Sequence, residues 1–446
     1  MSRFNFFQLI ISLVFISFIT TEKSSGQVSV NSSNDSLVLE QVIMSVLQTH
    51  PTVKAAEEAL NAADAKIALA RSGILPNVGA SASYSRVGPV PSIPFPINGV
   101  VENFQLFPAD NFNASLNINE TIFDFGKTTK SIAFETESKK LAEQSIEQTK
   151  QKLSMLVLNT FFSLVYLQDG INIKKEQLNT LKEHLEFVQK KMQTGSATQY
   201  EILTTQVKIS GNESQLIDLE TAFKVQLSVL NTLMGLPENT YHPVKKTFSV
   251  QLPLINADSM IGYADENRFE LKMARQKEAI SQSRYSMIKM DELPAVNLFF
   301  SGGNKNGYVP DINAFKWNFA AGIGISVPIF DGTRKHNNLL QASSAIKSTS
   351  FETEMVHRNI INEVIQSQAN LSSSQKKLDQ ASLQLTQAEK AFSLAKVSYQ
   401  AGSITNLDLL DATTDLSESR LLLLKARIDH ALSIYLLKLS LGDRIY

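Results

Sequence analysis

Residues 112–126 read FNASLNINETIFDFG, and apolar and polar residues alternate along most of this stretch. An alternation with a period of two predicts a β-strand with one apolar and one polar face. Residues 127–193 follow without a proline and with a single glycine, which predicts one very long helix. At about 1.5 Å per residue this helix would be roughly 100 Å long, too long for a compact globular domain.

The same pattern occurs twice in the chain. Ile122-Phe123-Asp124 recurs as Ile329-Phe330-Asp331, and Gly195-Ser196 recurs as Gly402-Ser403. The members of both pairs are 207 residues apart, and a second alternating stretch spans residues 317–327. We interpret the chain as two tandem repeats, each with the order helix, strand, loop, strand, very long helix, tight turn and helix.

The expected boundaries follow from these repeats. A proline-punctuated stretch separates the two halves, and a second one, residues 88–110, is expected to be an exposed loop between two strands. The expected segments are repeat 1 at 27–245 (β-hairpin 76–123, long helix 127–193, helix 198–234), the linker 246–257, and repeat 2 at 258–446 (β-hairpin 294–328, long helix 332–400, helix 405–441).

Residues 1–26 have the features of an export signal. Arg3 supplies the positive start, an apolar run of residues 4–19 follows, and Ser24-Ser25-Gly26 is a small-residue cleavage site. The alternative is an N-terminal membrane anchor, although the run is shorter than the roughly 20 apolar residues that a spanning helix needs. No other segment reaches that length, so a mature chain that crosses a membrane must do so with β-strands.

The long helices carry apolar residues at every seventh position, as in a coiled coil. An ordinary soluble coiled coil is one interpretation, but the alternating strands of both hairpins favour a barrel in an outer membrane. Four strands cannot close a barrel, so several chains must share one, giving eight strands with two chains or twelve with three. The heptad residues are Val157, Leu164, Ile171, Leu178, Leu185 and Met192, mirrored by Val364, Leu371, Leu378, Leu385, Phe392 and Tyr399.

Composition and motifs exclude several kinds of function. The chain has 42 basic and 43 acidic residues, so its net charge of -1 provides no field for nucleic acid. It has no cysteine, its six histidines lack zinc-binding spacing, and Asp124-Phe125-Gly126 stands without the other kinase motifs. We therefore expect no enzyme activity, no metal and no cofactor.

The twin junctions Ile122-Phe123-Asp124-Phe125-Gly126 and Pro328-Ile329-Phe330-Asp331-Gly332, with the twin tips at Gly195 and Gly402, resemble the TolC family of outer-membrane efflux and secretion channels. The resemblance covers nearly the whole mature chain. It implies an α+β membrane protein with four antiparallel transmembrane strands per protomer. It further implies a homotrimer whose 12-stranded β-barrel sits on a 12-helix α-barrel.

The same resemblance implies a function and its partners. The channel would conduct substrates passively through the bacterial outer membrane and extend into the periplasm. An inner-membrane pump and a periplasmic adaptor protein would serve it, in drug efflux or in type I secretion, and its barrel would contact outer-membrane lipid. The alternative from another class is a soluble periplasmic coiled-coil scaffold without a pore.

Two helix reversals are expected at the periplasmic tips. Thr198 with Glu201, and Thr405 with Asp408, have the spacing of capping boxes that begin the next helix. Glycine before each box suits the left-handed turn that ends a helix. The resemblance implies that an adaptor contacts these turns, which in this sequence are Gly195, Ser196, Ala197, Gly402, Ser403 and Ile404.

A periplasmic gate is expected just inside the second tip. Asp408 and Asp411 are three residues apart on one helix face, and symmetry would repeat them as carboxylate rings that favour cations. Helix capping alone also accounts for Asp408. The resemblance assigns both aspartates to the entrance constriction and Tyr399 to the contacts of the closed state. Ile404 departs from family members that carry an arginine there.

Overall fold

The computed structural model describes residues 37–97, 100–238, 240, 243, 245 and 259–445. The expected signal peptide at 1–26 and the expected linker at 246–257 lie outside the described residues.

The two halves contain corresponding elements. The two long helices, α3 (Lys127–Gln193) and α7 (Arg334–Gln400), have 67 residues each, and the helices after them, α4 (Gln199–Met234) and α8 (Asn406–Leu441), have 36 each. The first half comprises α1 (Leu39–Thr49), α2 (Pro51–Arg71), β1 (Asn77–Arg86), β2 (Ser92–Ile97), β3 (Val100–Gln105), β4 (Asp110–Phe123), α3 (Lys127–Gln193) and α4 (Gln199–Met234). The second comprises α5 (Met260–Asn267), α6 (Phe269–Ile288), β5 (Ala295–Lys305), β6 (Lys316–Ser326), α7 (Arg334–Gln400) and α8 (Asn406–Leu441).

Four of the strands form one antiparallel sheet in the order β1-β4-β5-β6. Its register places one apolar set on a single face, where Val78 pairs with Ile118, which in turn pairs with Phe300. The opposite face is polar, and there the hydroxyls of Ser81 and Ser115 lie 3.1 Å apart. Within the described residues, β1 and β6 are paired on one side only, so the sheet has two open edges.

The apolar face of this sheet carries large exposed side chains. Trp317, Phe319 and Ile325 on β6 are 66%, 71% and 71% exposed, whereas a water-soluble sheet would bury such residues. Phe299 is the one large apolar side chain that the register places on the polar face of these four strands. It lies over Gly322, where a Cβ atom would be 2.6 Å from the ring.

The helices next to the sheet lie side by side in the same order as the strands to which they connect. Next to the sheet, the packed sequence of helices is α2, α3, α6 and α7, which connect to β1, β4, β5 and β6 respectively. Toward the tips, α4 packs on α3, α3 on α8 and α8 on α7. The largest core lies around α3, where Val157, Phe161 and Leu164 pack with residues of α1, α4 and α8.

We expected one helix at the start of each half, and the structure has two. In the first half the chain leaves the helical conformation at His50, because Pro51 disfavours helical torsions in the residue before it. In the second half the break falls at Arg268, a residue that is 5% exposed. Its guanidinium donates to the carbonyl oxygens of Leu439 and Ser440 at the end of α8, which holds the break in place.

The proline-rich segment at residues 88–110 was expected to be a loop, and that expectation was wrong in part. It contains the two-stranded antiparallel pair β2 and β3. Pro94 and Pro96 are two residues apart, so both ring nitrogens point to the same edge of β2. One edge of each strand in a two-stranded sheet is unpaired, and proline is tolerated there.

Strands β4 and β6 each lead into a long helix, α3 and α7 respectively, through two consecutive residues in the left-handed conformation. These are Phe125 and Gly126, with φ of 55° and 90°, and Gly332 and Thr333, with φ of 69° and 68°. The carboxylate of the preceding aspartate accepts a hydrogen bond from a backbone N–H four residues on, at 2.7 Å in both junctions. The geometry is therefore the same, although glycine occupies the second position in one junction and the first in the other.

Within the described residues, no helix is both long enough and apolar enough to cross a membrane.

Candidate functional site

The two helix reversals at the tips have nearly identical backbones. Gly195 and Gly402 adopt left-handed φ values of 74° and 75°. After each glycine, a serine N–H reaches back to the last turn of the long helix, from Ser196 to the Lys191 oxygen at 2.8 Å and from Ser403 to the Ser398 oxygen at 2.9 Å. This is the glycine-ended helix stop that the sequence predicted.

Both expected capping boxes are present. The Thr198 hydroxyl accepts from the Glu201 N–H, and the Thr405 hydroxyl accepts from the Asp408 N–H. The Asp408 carboxylate in turn accepts from the Thr405 hydroxyl at 2.7 Å and from the Thr405 N–H at 2.9 Å. These hydrogen bonds lower the pKa of Asp408, so this carboxylate is committed to capping α8 within its own chain.

Tyr399 joins the end of α7 to the start of α4. The side chain is buried, and its hydroxyl donates to Glu201 Oε2 at 2.9 Å. The ammonium of Lys191 lies 4.6 Å from the centre of the Tyr399 ring. Burial raises the pKa of Tyr399, and the Glu201 carboxylate raises it further, so the hydroxyl stays protonated as a donor.

The Glu201 carboxylate therefore accepts hydrogen bonds from both halves of the molecule. Its Oε1 accepts from Thr198 in the capping box, while its Oε2 accepts from Tyr399 of the other repeat. The sequence predicted the first role from spacing. It gave no signal for the second, because the partner lies 198 residues away.

A second contact between the repeats joins α3 to the first residue of α8. His184 Nε2 on α3 donates to Asn406 Oδ1 on α8 at 2.6 Å. The Asn406 amide donates to the Glu201 carbonyl oxygen at 3.3 Å and to the Thr204 hydroxyl at 3.2 Å. The His184 ring packs edge-on against Tyr399, with centroids 5.1 Å apart. Burial lowers the pKa of His184, so the neutral ring is favoured here.

Sequence reasoning did not select either member of this pair as a site residue. Asn406 is the first residue of α8, and His184 is a polar residue four positions from Val188 on the packed side of α3. The position of His184 on a packed helix face was a signal that it has a buried polar partner. Periodicity could not identify that partner as Asn406.

Asp411 is not part of the helix cap and has a different partner from Asp408. Its side chain is 56% exposed, and its Oδ1 lies 3.2 Å from the ammonium of Lys208 on α4. The two aspartates expected to act together are thus held by different partners, one by the helix cap and the other by a lysine. Sequence reasoning did not identify Lys208.

The turns expected to contact an adaptor are largely accessible. Gly195, Ser196, Gly402 and Ser403 are exposed, and Ser196 and Gly402 line a groove between the two turns. Ala197 and Ile404 instead pack against a cluster formed by Val188, Ile202, Tyr399 and Leu409. At the position where some family members carry an arginine, this chain therefore makes an apolar contact.

The described residues contain no group of three His, Cys, Asp or Glu side chains that could hold a metal ion.

Comparisons with known proteins identify the family and the fold of the chain. A family model described as "Outer membrane efflux protein" matches residues 42–236 and 260–442. The outer membrane protein TolC of Vibrio cholerae is 20% identical over 91% of this chain and 90% of its own. The alkaline protease secretion protein AprF of Pseudomonas aeruginosa is 25% identical over 72% and 67%. The crystal structure of VceC from Vibrio cholerae superposes with a TM-score of 0.73 at 19% identity, covering 92% of this chain and 97% of that one.

Proposed function

The chain belongs to the outer membrane efflux protein family, and on that premise we propose that three copies form one duct that carries substrates from an inner-membrane pump to the exterior. It is an outer-membrane channel protein of the efflux and type I secretion class, and it extends into the periplasm.

One observation carries the proposal: the four-stranded sheet exposes its apolar face and leaves both edges open. An open edge in lipid leaves backbone N–H and C=O groups without partners, which costs several kcal/mol per group. Pairing β6 of one copy with β1 of the next removes the edge, and three copies supply twelve strands. The apolar face then meets lipid, and the polar face, with Ser81 and Asn117, lines the lumen.

The edges of the helical layer support the same assembly. Next to the tips the outermost helices are α4 and α7, and both expose apolar residues. A neighbouring copy would cover the α4 residues with α7 residues and thereby close a tube of helices. The exposed residues are Tyr200, Leu203, Val207, Ile217, Val225 and Val229 on α4, and Ile365, Leu383, Leu394 and Val397 on α7.

The tips close the duct in this proposal. The contacts Tyr399–Glu201 and His184–Asn406 hold α7 and α8 against the first repeat. Opening breaks these contacts and moves Asp411 outward, which widens the entrance. The adaptor engages the exposed turn residues Gly195, Ser196, Gly402 and Ser403, with Ala197 and Ile404 beneath them, and the pump supplies the substrate. No covalent bond is made or broken.

The test is single-channel recording of the detergent-purified oligomer in a planar bilayer, together with its mass. We expect a mass of three chains, recovery from the outer-membrane fraction, and discrete conductance steps. Release without detergent as a monomer or dimer, and no conductance, would favour the periplasmic scaffold without a pore.

A further inference from the structure

Two lysines face each other on the polar side of the sheet. Lys305 at the end of β5 and Lys316 at the start of β6 are directly paired across the strands. They lie at the end of the sheet far from the helices, since β5 begins where α6 ends and β6 leads into α7. The register puts them on the same face as Asn113 and Asn318.

Like charges directly opposite each other destabilise a sheet, so this pair needs compensating contacts. The connecting loop provides them. The Lys316 ammonium donates to the carbonyl oxygens of Tyr308 and Val309 at 3.4 and 3.5 Å. The Lys305 ammonium lies 5.1 Å from the centre of the Tyr308 ring. The loop thus holds both ammonium groups without neutralising either charge.

The loop is itself fixed to the neighbouring strand. Asn306, which is 8% exposed, donates from its amide nitrogen to the Asp110 carbonyl oxygen at 2.6 Å. Its amide oxygen accepts from the Phe112 N–H at 2.8 Å. The two lysines therefore occupy a defined position at the base of an anchored loop.

Within the four paired strands, no carboxylate lies on the face of the two lysines. At the same end of the sheet, Asp110 pairs with Arg86, 3.5 Å apart, but both residues belong to the opposite, apolar face. The polar face thus carries two positive charges per chain at its outer end.

We propose that Lys305 and Lys316 form a basic ring at the outer mouth of the barrel that attracts anions and sets the ion selectivity of that end. This inference rests on the trimeric duct proposed above, which would bring six ammonium groups to one opening. The ligands are anions in general, from inorganic ions to anionic groups of the cargo. The outer mouth would then have a charge opposite to that of the entrance, where Asp411 lies.

The experiment compares the reversal potential of the wild-type oligomer with that of Lys305→Gln/Lys316→Gln under a potassium chloride gradient. The double variant should raise the ratio of cation to anion permeability about twofold or more near 0.1 M salt. The difference should shrink near 1 M salt, because the screening length falls from about 10 Å to about 3 Å. Each single variant should give part of the shift.

Two controls separate this effect from general damage. Lys305→Arg/Lys316→Arg keeps the charge and should keep the wild-type ratio. Arg86→Gln removes one positive charge at the same end but from the apolar face, and it should leave the ratio unchanged. Pores of normal conductance whose ratio is unaltered in the glutamine variants would overturn the inference and leave the duct intact. Absence of pores in the wild-type protein would overturn the duct and this inference with it.

Discussion

The helices α3 and α7 have the same length and corresponding places in the two repeats, yet they differ in burial. Leu158 on α3 is 0% exposed, whereas its counterpart 207 residues later, Ile365 on α7, is 54% exposed. The reason is position: α3 is packed by α2, α4, α6 and α8, while α7 lies at the edge of the layer. A repeat determines which element forms, and the place of that element in the layer determines what covers it.

The comparison predicts a large loss of protomer stability for one of two matched substitutions and a small change for the other. Leu158→Ala should lower the free energy of unfolding of the protomer by about 2–5 kcal/mol, because it leaves a cavity in the α3 core. Ile365→Ala should change it by less than about 1 kcal/mol, since the side chain already meets solvent in the single chain. Denaturant unfolding of the purified protein, with the oligomer dissociated, measures both.

The same pair also tests how α7 is covered. If a second copy packs on α7, Ile365→Ala should weaken the oligomer even though the protomer is intact. The fraction of oligomer on dilution in detergent reports this. Equal losses of protomer stability in the two variants would contradict the difference between the core helix and the edge helix.

At its tip α7 has one covered side, because Tyr399 is buried against the first repeat. Tyr399→Phe removes its hydrogen bond to the Glu201 carboxylate, a type of bond that contributes about 1.5–3 kcal/mol. The ratio of open to closed channels should rise roughly 10- to 100-fold. Single-channel open probability measures it, with Tyr285→Phe on α6 as a control far from the tips. An unchanged open probability would remove Tyr399 from the gate.

His184 makes the corresponding tip contact from α3, and it should respond to pH. Burial lowers the pKa of His184 below its usual 6.5, and an open tip would return it toward that value. The closed state is therefore fully stable above about pH 6.5 and loses stability as the pH falls below it, by up to about tenfold per pH unit. The other charged groups near the ring are Glu201, Lys191, Glu183 and Lys396.

The measurement is open probability between about pH 7.5 and pH 5. His184→Gln can still donate to Asn406 but does not titrate in this range, so its profile should be flat. A profile in the variant as steep as in the wild type would assign the pH response to one of the neighbouring carboxylates.

The smallest effect is expected where the contact is most exposed. The pair Lys208–Asp411 should contribute only about 0–1 kcal/mol to the closed state. Its effect on selectivity has a definite direction: Asp411→Asn should weaken the preference for cations, and Lys208→Gln should strengthen it by leaving the carboxylate unpaired. Reversal potentials test both, and a shift in the same direction for the two variants would contradict the pairing.

Periodicity predicted the elements well because each depends on residues close in sequence. The long helix expected at 127–193 and the observed helix α3 have the same bounds, and the alternation in residues 112–123 marks a strand of the sheet. The capping boxes could also be predicted from the sequence, because each joins two residues that are three positions apart. Pro94 and Pro96 were misleading, because a two-stranded pair tolerates prolines that an interior strand would not.

The contacts at the tips could not be predicted in this way. Tyr399 meets Glu201 across 198 residues, and His184 meets Asn406 across 222. Both pairs join one repeat to the other, so they depend on how four helices come together and not on the pattern of any one helix. Asp408 has capping-box spacing in the sequence and Asp411 does not, but no signal in the sequence identified Lys208 as the partner of Asp411.

The strand-to-helix junctions bear on how such repeats are detected. Phe125 corresponds to Gly332 and Gly126 to Thr333, so an alignment of the two halves by residue type counts two mismatches side by side. Their backbone torsions coincide, with all four φ values in the left-handed region. A search that compares torsion angles would therefore align these junctions at positions where a substitution table penalises them.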